Sequence, residues 1–175
     1  RRTPRSTLFP YTTLFRSNVG MHAMNSLRIE KAYRHWGHDI ADEDTPIEAG
    51  LEFAVRFDKP GGFIGREALL KQKECGLVAK RMVQFLMEDP EVMLYHNEPI
   101  IRDGTICGYI TSGMYGHTLG GSVGMGYVNN PLERGGVDSE FVNSGSYEIE
   151  VACKRYPAQA SLEPLYDPGN QRIKS

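Results

Sequence analysis

The chain has 175 residues, of which 40% are hydrophobic, and its formal net charge is −2. This length and apolar content predict one folded domain plus part of another. Because acidic and basic residues are nearly balanced and interspersed, the composition argues against a nucleic-acid partner. No apolar run approaches the length needed to cross a bilayer, so we expect no membrane partner either.

The three cysteines point to a reducing environment. Cys75, Cys107 and Cys153 are odd in number and far apart, and they form neither a CxxC pair nor a disulfide framework. We therefore expect a cytoplasmic protein, or one of the mitochondrial matrix if the source is eukaryotic.

The N-terminal segment, residues 1–17, is expected to be non-native. Thr7–Ser17, TLFPYTTLFRS, resembles the in-frame translation of a sequencing-library adapter. An ordinary strand is the alternative interpretation. On the first interpretation, native sequence begins near Asn18.

Helical and alternating patterns occupy residues 18–78. Met24–Trp36 contains good helix formers and is followed by Gly37, which predicts a helix with a glycine cap. Leu51–Asp58 alternates apolar and polar residues and predicts a strand. Gly65–Glu74 predicts a short helix that Gly76 ends. We expect a domain boundary within residues 76–80, between a first domain at 18–78 and a second at 79–175.

Short strands punctuated by turn residues follow, and they predict a small antiparallel barrel or sandwich. The dipeptide Asp103-Gly104 predicts a type I′ hairpin, and a second hairpin is predicted around Lys154 and Arg155. The predicted strands are Met82–Met87, Pro99–Arg102, Thr105–Thr111, Met125–Val128, Ser146–Cys153 and Tyr156–Leu162. The fold class is therefore α+β, an α/β piece followed by a small antiparallel β-barrel domain.

Glu30 is the acid to which we assign a functional role. At helical spacing it lies one turn from Leu27 and Tyr33, so its carboxylate emerges beside an apolar, aromatic face. A half-buried acid requires a donor partner. Spacing alone favours an ion pair with Arg34 as that partner, and a flat ligand with adjacent N–H donors is the alternative.

Two other patterns are not taken as sites. His35 and His38, beside Asp39, have no further ligand at metal spacing, so we expect a solvent-facing helix end and no metal. The glycine-rich run at residues 120–126 precedes a strand instead of opening a helix. It therefore predicts neither a dinucleotide turn nor a phosphate loop.

Several motifs carry a resemblance to a known family. They are SLRIE at Ser26–Glu30, TPIEAG at Thr45–Gly50, FIGREALLKQK at Phe63–Lys73 and EPLYDPGNQRI at Glu163–Ile173. With them the chain resembles the aminomethyltransferase (glycine-cleavage T-protein) superfamily. It is most similar to the C-terminal folate-binding part of sarcosine and dimethylglycine dehydrogenases.

The resemblance implies roles for individual residues. Glu30 is implied to bind the pterin of folate, and Lys59 to meet its aminobenzoyl-glutamate tail. Tyr115, in the loop TSGMYGHT, is implied to face the folate site. Arg28 and Glu48 also lie in shared motifs, and we assign them to a structural pair that joins helix to strand.

The same resemblance implies a parent enzyme with two cofactors. In such relatives an FAD domain dehydrogenates an N-methyl amine, and tetrahydrofolate captures the one-carbon unit; tethering the two sites limits its loss to water. We expect this chain to lack that flavin domain and the catalytic aspartate, to hold no catalytic residue, and to be inert alone. Whether sarcosine or dimethylglycine is the substrate would be set in the flavin domain. The alternatives are a T-protein-type aminomethyltransferase and a non-catalytic relative such as the regulatory subunit of pyruvate dehydrogenase phosphatase.

Overall fold

Six antiparallel strands close into a barrel with the order β1-β4-β3-β2-β5-β6. The computed structural model describes residues 20–174, without the side chain of Ile173, so the predicted adapter-derived segment lies outside the described residues. The strands are β1 (Lys80–Met87), β2 (Pro99–Arg102), β3 (Thr105–Gly116), β4 (Gly121–Asn129), β5 (Tyr147–Val151) and β6 (Lys154–Ser161). The helices are α1 (Met21–Glu30), α2 (Arg66–Cys75), α3 (Ser139–Ser144) and α4 (Gln171–Lys174). The α+β class and the barrel are confirmed.

Both predicted hairpins form, one of them with a different turn. Asp103 and Gly104 have φ of 49° and 83° and connect β2 to β3, as the dipeptide predicted. The β5–β6 turn, however, consists of Ala152 and Cys153, with φ of 50° and 63°. The prediction that Lys154 and Arg155 form this turn was wrong, because both are already paired within the ladder.

Strand β4 is buried on both of its faces. Its Val128 joins the core inside the barrel, whereas Val123 and Met125 pack outward against Ile29 of α1. The glycine-rich run that the sequence placed before a strand is therefore mostly the strand itself. Its glycines allow neighbouring side chains to pack where a β-carbon would stand.

Helix α1 ends at Glu30, whereas the sequence predicted an end at Trp36. The chain closes the helix at Ala32, which has a left-handed φ of 53°. The amide of Tyr33 then donates to the carbonyl of Arg28 at 2.8 Å, the long hydrogen bond of a Schellman motif. A non-glycine residue occupies the capping position, so the glycine signal further along the sequence misplaced the end.

The apolar residues of the predicted helix Met24–Trp36 are only partly buried. Ile29 is buried, but Leu27, Tyr33 and Trp36 are exposed, Trp36 by 68%. The last two lie beyond the end of α1, so helical spacing no longer relates them to Ile29.

The predicted strand at Leu51–Asp58 does not form. A 3-10 helix occupies Glu52–Ala54, and Phe53 is 85% exposed. A strand needs a neighbour for its ladder bonds, and every named strand within residues 20–174 belongs to the closed barrel, which offers no edge. The predicted short helix does form, as α2, and Gly76 ends it in the left-handed conformation. None of the helices at 20–174 is long and apolar enough to span a membrane.

Candidate functional site

The carboxylate of Glu30 is buried where α1 meets the β3–β4 turn. Glu30 is 2% exposed. Its Oε1 accepts hydrogen bonds from the amides of Thr118 at 2.6 Å and Leu119 at 3.2 Å, and its Oε2 accepts one from Thr118 Oγ1 at 2.9 Å. These donors compensate the buried charge, so the expected half-burial was an underestimate.

The partner for Glu30 that spacing favoured, an ion pair with Arg34, does not form. Arg34 lies beyond the end of α1 and donates instead to the carbonyls of Ala49 at 3.0 Å and Ala32 at 2.6 Å. The helical spacing on which that prediction depended is absent.

The hairpin end of β3 is fitted closely to α1. Ser26 Oγ donates to the carbonyl of Tyr115 at 2.7 Å. A β-carbon at Gly116 would lie 3.2 Å from Glu30 Oε1 and 2.8 Å from a methyl group of Val123. Glycine at this position therefore lets the carboxylate reach the turn.

The backbone behind Glu30 is held by the barrel. Buried Gln84 on β1 donates from Nε2 to the carbonyls of Ile29 at 2.6 Å and Glu30 at 3.3 Å. Its Oε1 accepts from the amide of Leu165 at 2.8 Å. One side chain thus joins the end of α1, the barrel and the C-terminal tail, which we define as residues 162–174.

The C-terminal tail also contacts the end of α1. The amide of Tyr166 donates to the carbonyl of Glu30, and Lys31 Nζ donates to the carbonyl of Asp167 at 2.6 Å while lying 3.5 Å from its carboxylate. Desolvation opposes a lowered pKa at Asp167, but the amide of Gln171 and the charge of Lys31 outweigh it, so the pKa of Asp167 is lowered.

Two of the three predicted folate residues lie at one junction. Tyr115 is half-buried at the end of β3, with its ring 5.1 Å from that of His117 in an edge-to-face arrangement. Its carbonyl contacts the same helix that carries Glu30. Lys59 is exposed in the turn before α2, and its ammonium has no hydrogen-bond or ion-pair partner within the described part of the chain. Among residues 20–174, no hydrogen bond or ion pair joins Lys59 to the junction.

A groove of about 280 Å³ runs between α1 and β3. Aromatic and imidazole rings form much of its wall: His35 and His38 have ring centroids 4.7 Å apart, and those of Tyr95 and His96 are 5.4 Å apart. Flat rings of this kind suit a planar ligand. Neither Tyr95 nor His96 was selected from the sequence, because no spacing relates this loop to α1.

Arg28, which lines this groove, belongs to an ion pair that the sequence did not reveal. Asp39, fully buried, accepts from Arg28 Nη1 at 2.8 Å, from Thr111 Oγ1 at 2.6 Å and from the amide of His35 at 2.8 Å. Arg28 is structural as predicted, but its partner is Asp39 and not Glu48.

Glu48 has a separate structural role. Its carboxylate accepts from the amide of Thr45 at 3.0 Å, and Thr45 Oγ1 accepts from the amide of Glu48 at 3.2 Å. This reciprocal arrangement is a capping box. The predicted pair between Arg28 and Glu48 was therefore wrong.

His35 and His38 are exposed, and residues 20–174 contain no group of three or more metal-ligating side chains that could hold an ion. The three cysteines are free, with Cys75 and Cys153 exposed. Burial raises the pKa of the half-buried Cys107 thiol to about 11.

The closed barrel with a helix packed on its outer face has the aminomethyltransferase fold. The family model of the glycine cleavage T-protein C-terminal barrel domain matches residues 80–167, and that of the GCVT N-terminal domain matches residues 15–59. The chain belongs to the glycine cleavage T-protein family.

Curated relatives include an oxidase, a dehydrogenase and a regulatory subunit. A 4-methylaminobutanoate oxidase (formaldehyde-forming) from Paenarthrobacter nicotinovorans is 41% identical over 89% of this chain and 18% of its own length. Human mitochondrial sarcosine dehydrogenase is 41% identical over 90% of this chain and 17% of its own. The mouse mitochondrial pyruvate dehydrogenase phosphatase regulatory subunit is 42% identical over 85% of this chain and 18% of its own length. The chain thus spans less than a fifth of these relatives.

A solved structure shows the same fold. Aminomethyltransferase T of the glycine cleavage system from Bartonella henselae superposes with a TM-score of 0.70 at 26% identity. The match covers 86% of this chain and 40% of that one.

Proposed function

We propose that this chain is the folate-binding C-terminal part of a flavin-dependent N-demethylase that resembles sarcosine and dimethylglycine dehydrogenases and passes a one-carbon unit to tetrahydrofolate. In this proposal the barrel domain begins near residue 79, and an upstream flavin domain of the same parent chain is the main partner. The protein would work in a reducing compartment, the cytoplasm or the mitochondrial matrix.

The observation that carries the proposal is the junction of α1 with the β3–β4 turn. There the acid of the SLRIE motif, Glu30, and the half-buried ring of Tyr115 are presented by elements held together through Ser26. Amine-oxidising relatives at 41% identity supply the reaction class.

The Glu30 carboxylate has one unused acceptor position, which a folate ring would reach only after the covering turn or tail moved, because Glu30 is 2% exposed. Glu30 Oε1 already accepts from two amides, whereas Oε2 accepts only from Thr118 Oγ1. A carboxylate offers about four acceptor positions, so one remains. A second hydrogen bond from the pterin would require the Thr118 turn to release one of its own. The residues proposed to hold tetrahydrofolate, the acceptor of the one-carbon unit, are Glu30, Tyr115 and, at the tail, Lys59.

FAD does not fit the described part of the chain. A dinucleotide site needs a glycine turn between a strand and a helix. The glycine-rich run at residues 120–126 lies in β4, and the glycines at 61–65 that open α2 follow a 3-10 helix and not a strand. No step of the reaction is therefore assigned to the residues at 20–174 through a flavin. We place FAD in the proposed upstream domain.

Binding of a reduced folate to the 175-residue chain tests the proposal directly. Saturation-transfer NMR with 5-formyltetrahydrofolate should show transfer to the pterin and aminobenzoyl protons, with weak affinity because part of the cavity wall is expected to come from upstream sequence. Tyr115→Ala should reduce the transfer several-fold. Tyr109→Ala, which removes an exposed tyrosine from the same strand, should leave it unchanged.

A matched pair of lysine variants tests the tail contact. Lys59→Ala should weaken binding of 5-formyltetrahydrofolate, whereas Lys71→Ala, another exposed lysine, should not. Absence of transfer to the wild-type chain, or equal loss in both tyrosine variants, would contradict folate binding at this junction.

The relatives also favour a second candidate function, that of a non-catalytic regulatory subunit. The mouse regulatory subunit is as similar to this chain as the enzymes are. Long-read sequencing of the source locus upstream of the Asn18 codon separates the candidates. An in-frame flavin domain with its attachment residues supports the demethylase, one with eroded residues supports the regulatory relative, and its absence supports a stand-alone aminomethyltransferase.

A further inference from the structure

Thr118, in the β3–β4 turn, makes two different hydrogen bonds to one carboxylate. Its amide donates to Glu30 Oε1 at 2.6 Å, and its Oγ1 donates to Glu30 Oε2 at 2.9 Å. Thr118 is exposed, whereas Glu30 is 2% exposed. The Thr118 side chain therefore lies between the buried carboxylate and solvent.

The other donors to this carboxylate are backbone amides that the turn holds in place. The amide of Leu119 donates to Oε1 at 3.2 Å, and the amide of Gly120 closes the turn by donating to the carbonyl of Gly116 at 2.8 Å. The Thr118 hydroxyl differs from them, because rotation about its Cα–Cβ bond moves Oγ1 away without breaking a backbone hydrogen bond. Among residues 20–174, it is the donor to Glu30 that can leave while the turn stays closed.

A ligand that approaches Oε2 from solvent must displace this hydroxyl. Within the described residues, Oε2 accepts from no group other than Thr118 Oγ1. A buried carboxylate oxygen that loses its donor is disfavoured unless another donor takes its place. A ligand N–H restores the lost hydrogen bond, whereas a ring without such a donor leaves Oε2 without a partner.

We propose that Thr118 is a specificity-determining residue: its hydroxyl occupies Glu30 Oε2 until the N–H of a planar ring replaces it. The inference rests on the proposed function, because it places a ligand ring on Glu30. It adds a second participant, which acts through Glu30 and admits rings that carry an N–H donor over rings that do not.

Uracil and 1,3-dimethyluracil are matched probes, planar rings with and without N–H donors. The ¹H-¹⁵N signal of the Leu119 amide, which donates to Oε1, follows their binding. Thr118→Ala removes the competing hydroxyl, so uracil should bind about tenfold more tightly than to the wild type, and 1,3-dimethyluracil should show no gain. Thr118→Ser keeps a hydroxyl and should bind uracil like the wild type. Thr105→Ala, which alters an exposed threonine at the start of β3, should do the same.

A purely structural role for Thr118 predicts a different result. On either account, Thr118→Ala loses a hydrogen bond to the carboxylate, so its Tm without ligand should fall by about 3 °C. A structural contact alone would leave uracil binding unchanged or weaker. Equal gains for uracil and 1,3-dimethyluracil would show a general opening of the turn. Either of these two binding results would overturn the proposal.

The side-chain rotation can also be measured in the wild type, so the test does not depend on the folding of Thr118→Ala. The three-bond coupling between the amide nitrogen and Cγ2 of Thr118 reports its χ1 angle. Uracil should change this coupling as the hydroxyl leaves Oε2. A coupling that uracil does not change would overturn the proposal.

Comparison with 5-formyltetrahydrofolate separates this inference from the folate proposal. If uracil changes the Thr118 coupling and 5-formyltetrahydrofolate does not bind, the folate ligand is contradicted and the role of Thr118 is supported. If 5-formyltetrahydrofolate binds without changing that coupling and without a gain in Thr118→Ala, the role of Thr118 is overturned and the folate proposal stands.

Discussion

At the scale of single residues, the Asp39 carboxylate combines full burial with three hydrogen bonds. In Asp39→Asn the charge of Arg28 loses its partner within the fold, and we expect a loss of about 3 kcal/mol in the free energy of unfolding. Asp58→Asn is the control: its ion pair with Arg56 is exposed, so the change should be below about 0.5 kcal/mol. Urea unfolding measures both, and similar losses would contradict this assignment.

The three cysteines should differ in reactivity. The thiolate is the nucleophile, and burial raises the pKa of Cys107 to about 11. At pH 8 we expect iodoacetamide to modify exposed Cys75 and Cys153 at least about tenfold faster than Cys107. Peptide mass spectrometry over a time course gives the three rates. Equal rates in the folded protein, checked against equal rates in urea, would show that Cys107 is not protected.

At the scale of elements, β4 depends on the close approach of its neighbours to glycine. A β-carbon at Gly126 would lie 2.4 Å from the carbonyl oxygen of Tyr109 and 2.7 Å from Ile100 Cδ1, so Gly126→Ala should destabilise the barrel by about 3 kcal/mol or more. Gly121→Ala, on the same strand, meets nothing closer than 3.3 Å and should cost about 1 kcal/mol or less. Chemical denaturation that ranks the two variants in the opposite order would contradict this packing.

Elements with local signals were predictable, and those that depend on distant contacts were not. Asp103-Gly104 specifies its turn by backbone preference alone, and Gly76 ends α2 for the same reason. Ala32 ends α1 without such a signal. The alternation at residues 51–58 predicted a strand, but alternation cannot show that no neighbouring edge is available.

In the candidate site, too, a residue with a local signal was predictable and its distant partners were not. Glu30 could be selected from its motif, but its donors, Thr118 and Leu119, are remote in sequence and were not predictable. Asp39 was assigned to solvent because its partner Thr111 lies on β3, which no spacing from α1 could indicate.

At the scale of the whole molecule, Gln84 connects α1, the barrel and the C-terminal tail. Gln84→Leu preserves the approximate volume but removes the partner of the Leu165 amide and one partner of each carbonyl at Ile29 and Glu30. A buried polar group left unsatisfied costs about 1 to 3 kcal/mol, so we expect unfolding to be easier by about 2 kcal/mol.

The Gln84→Leu variant should also loosen one part of the molecule before the rest. Hydrogen exchange at Leu165 should accelerate more than at Val83, whose neighbours in the β1 ladder are unchanged, because the tail loses an anchor while the barrel keeps its closed sheet. Gln159→Leu, at an exposed position on β6, is the control and should alter neither quantity. Retained protection at Leu165 in Gln84→Leu would mean that the other contacts of the tail, from Tyr166 to Glu30 and from Lys31 to Asp167, hold it over Glu30 without Gln84.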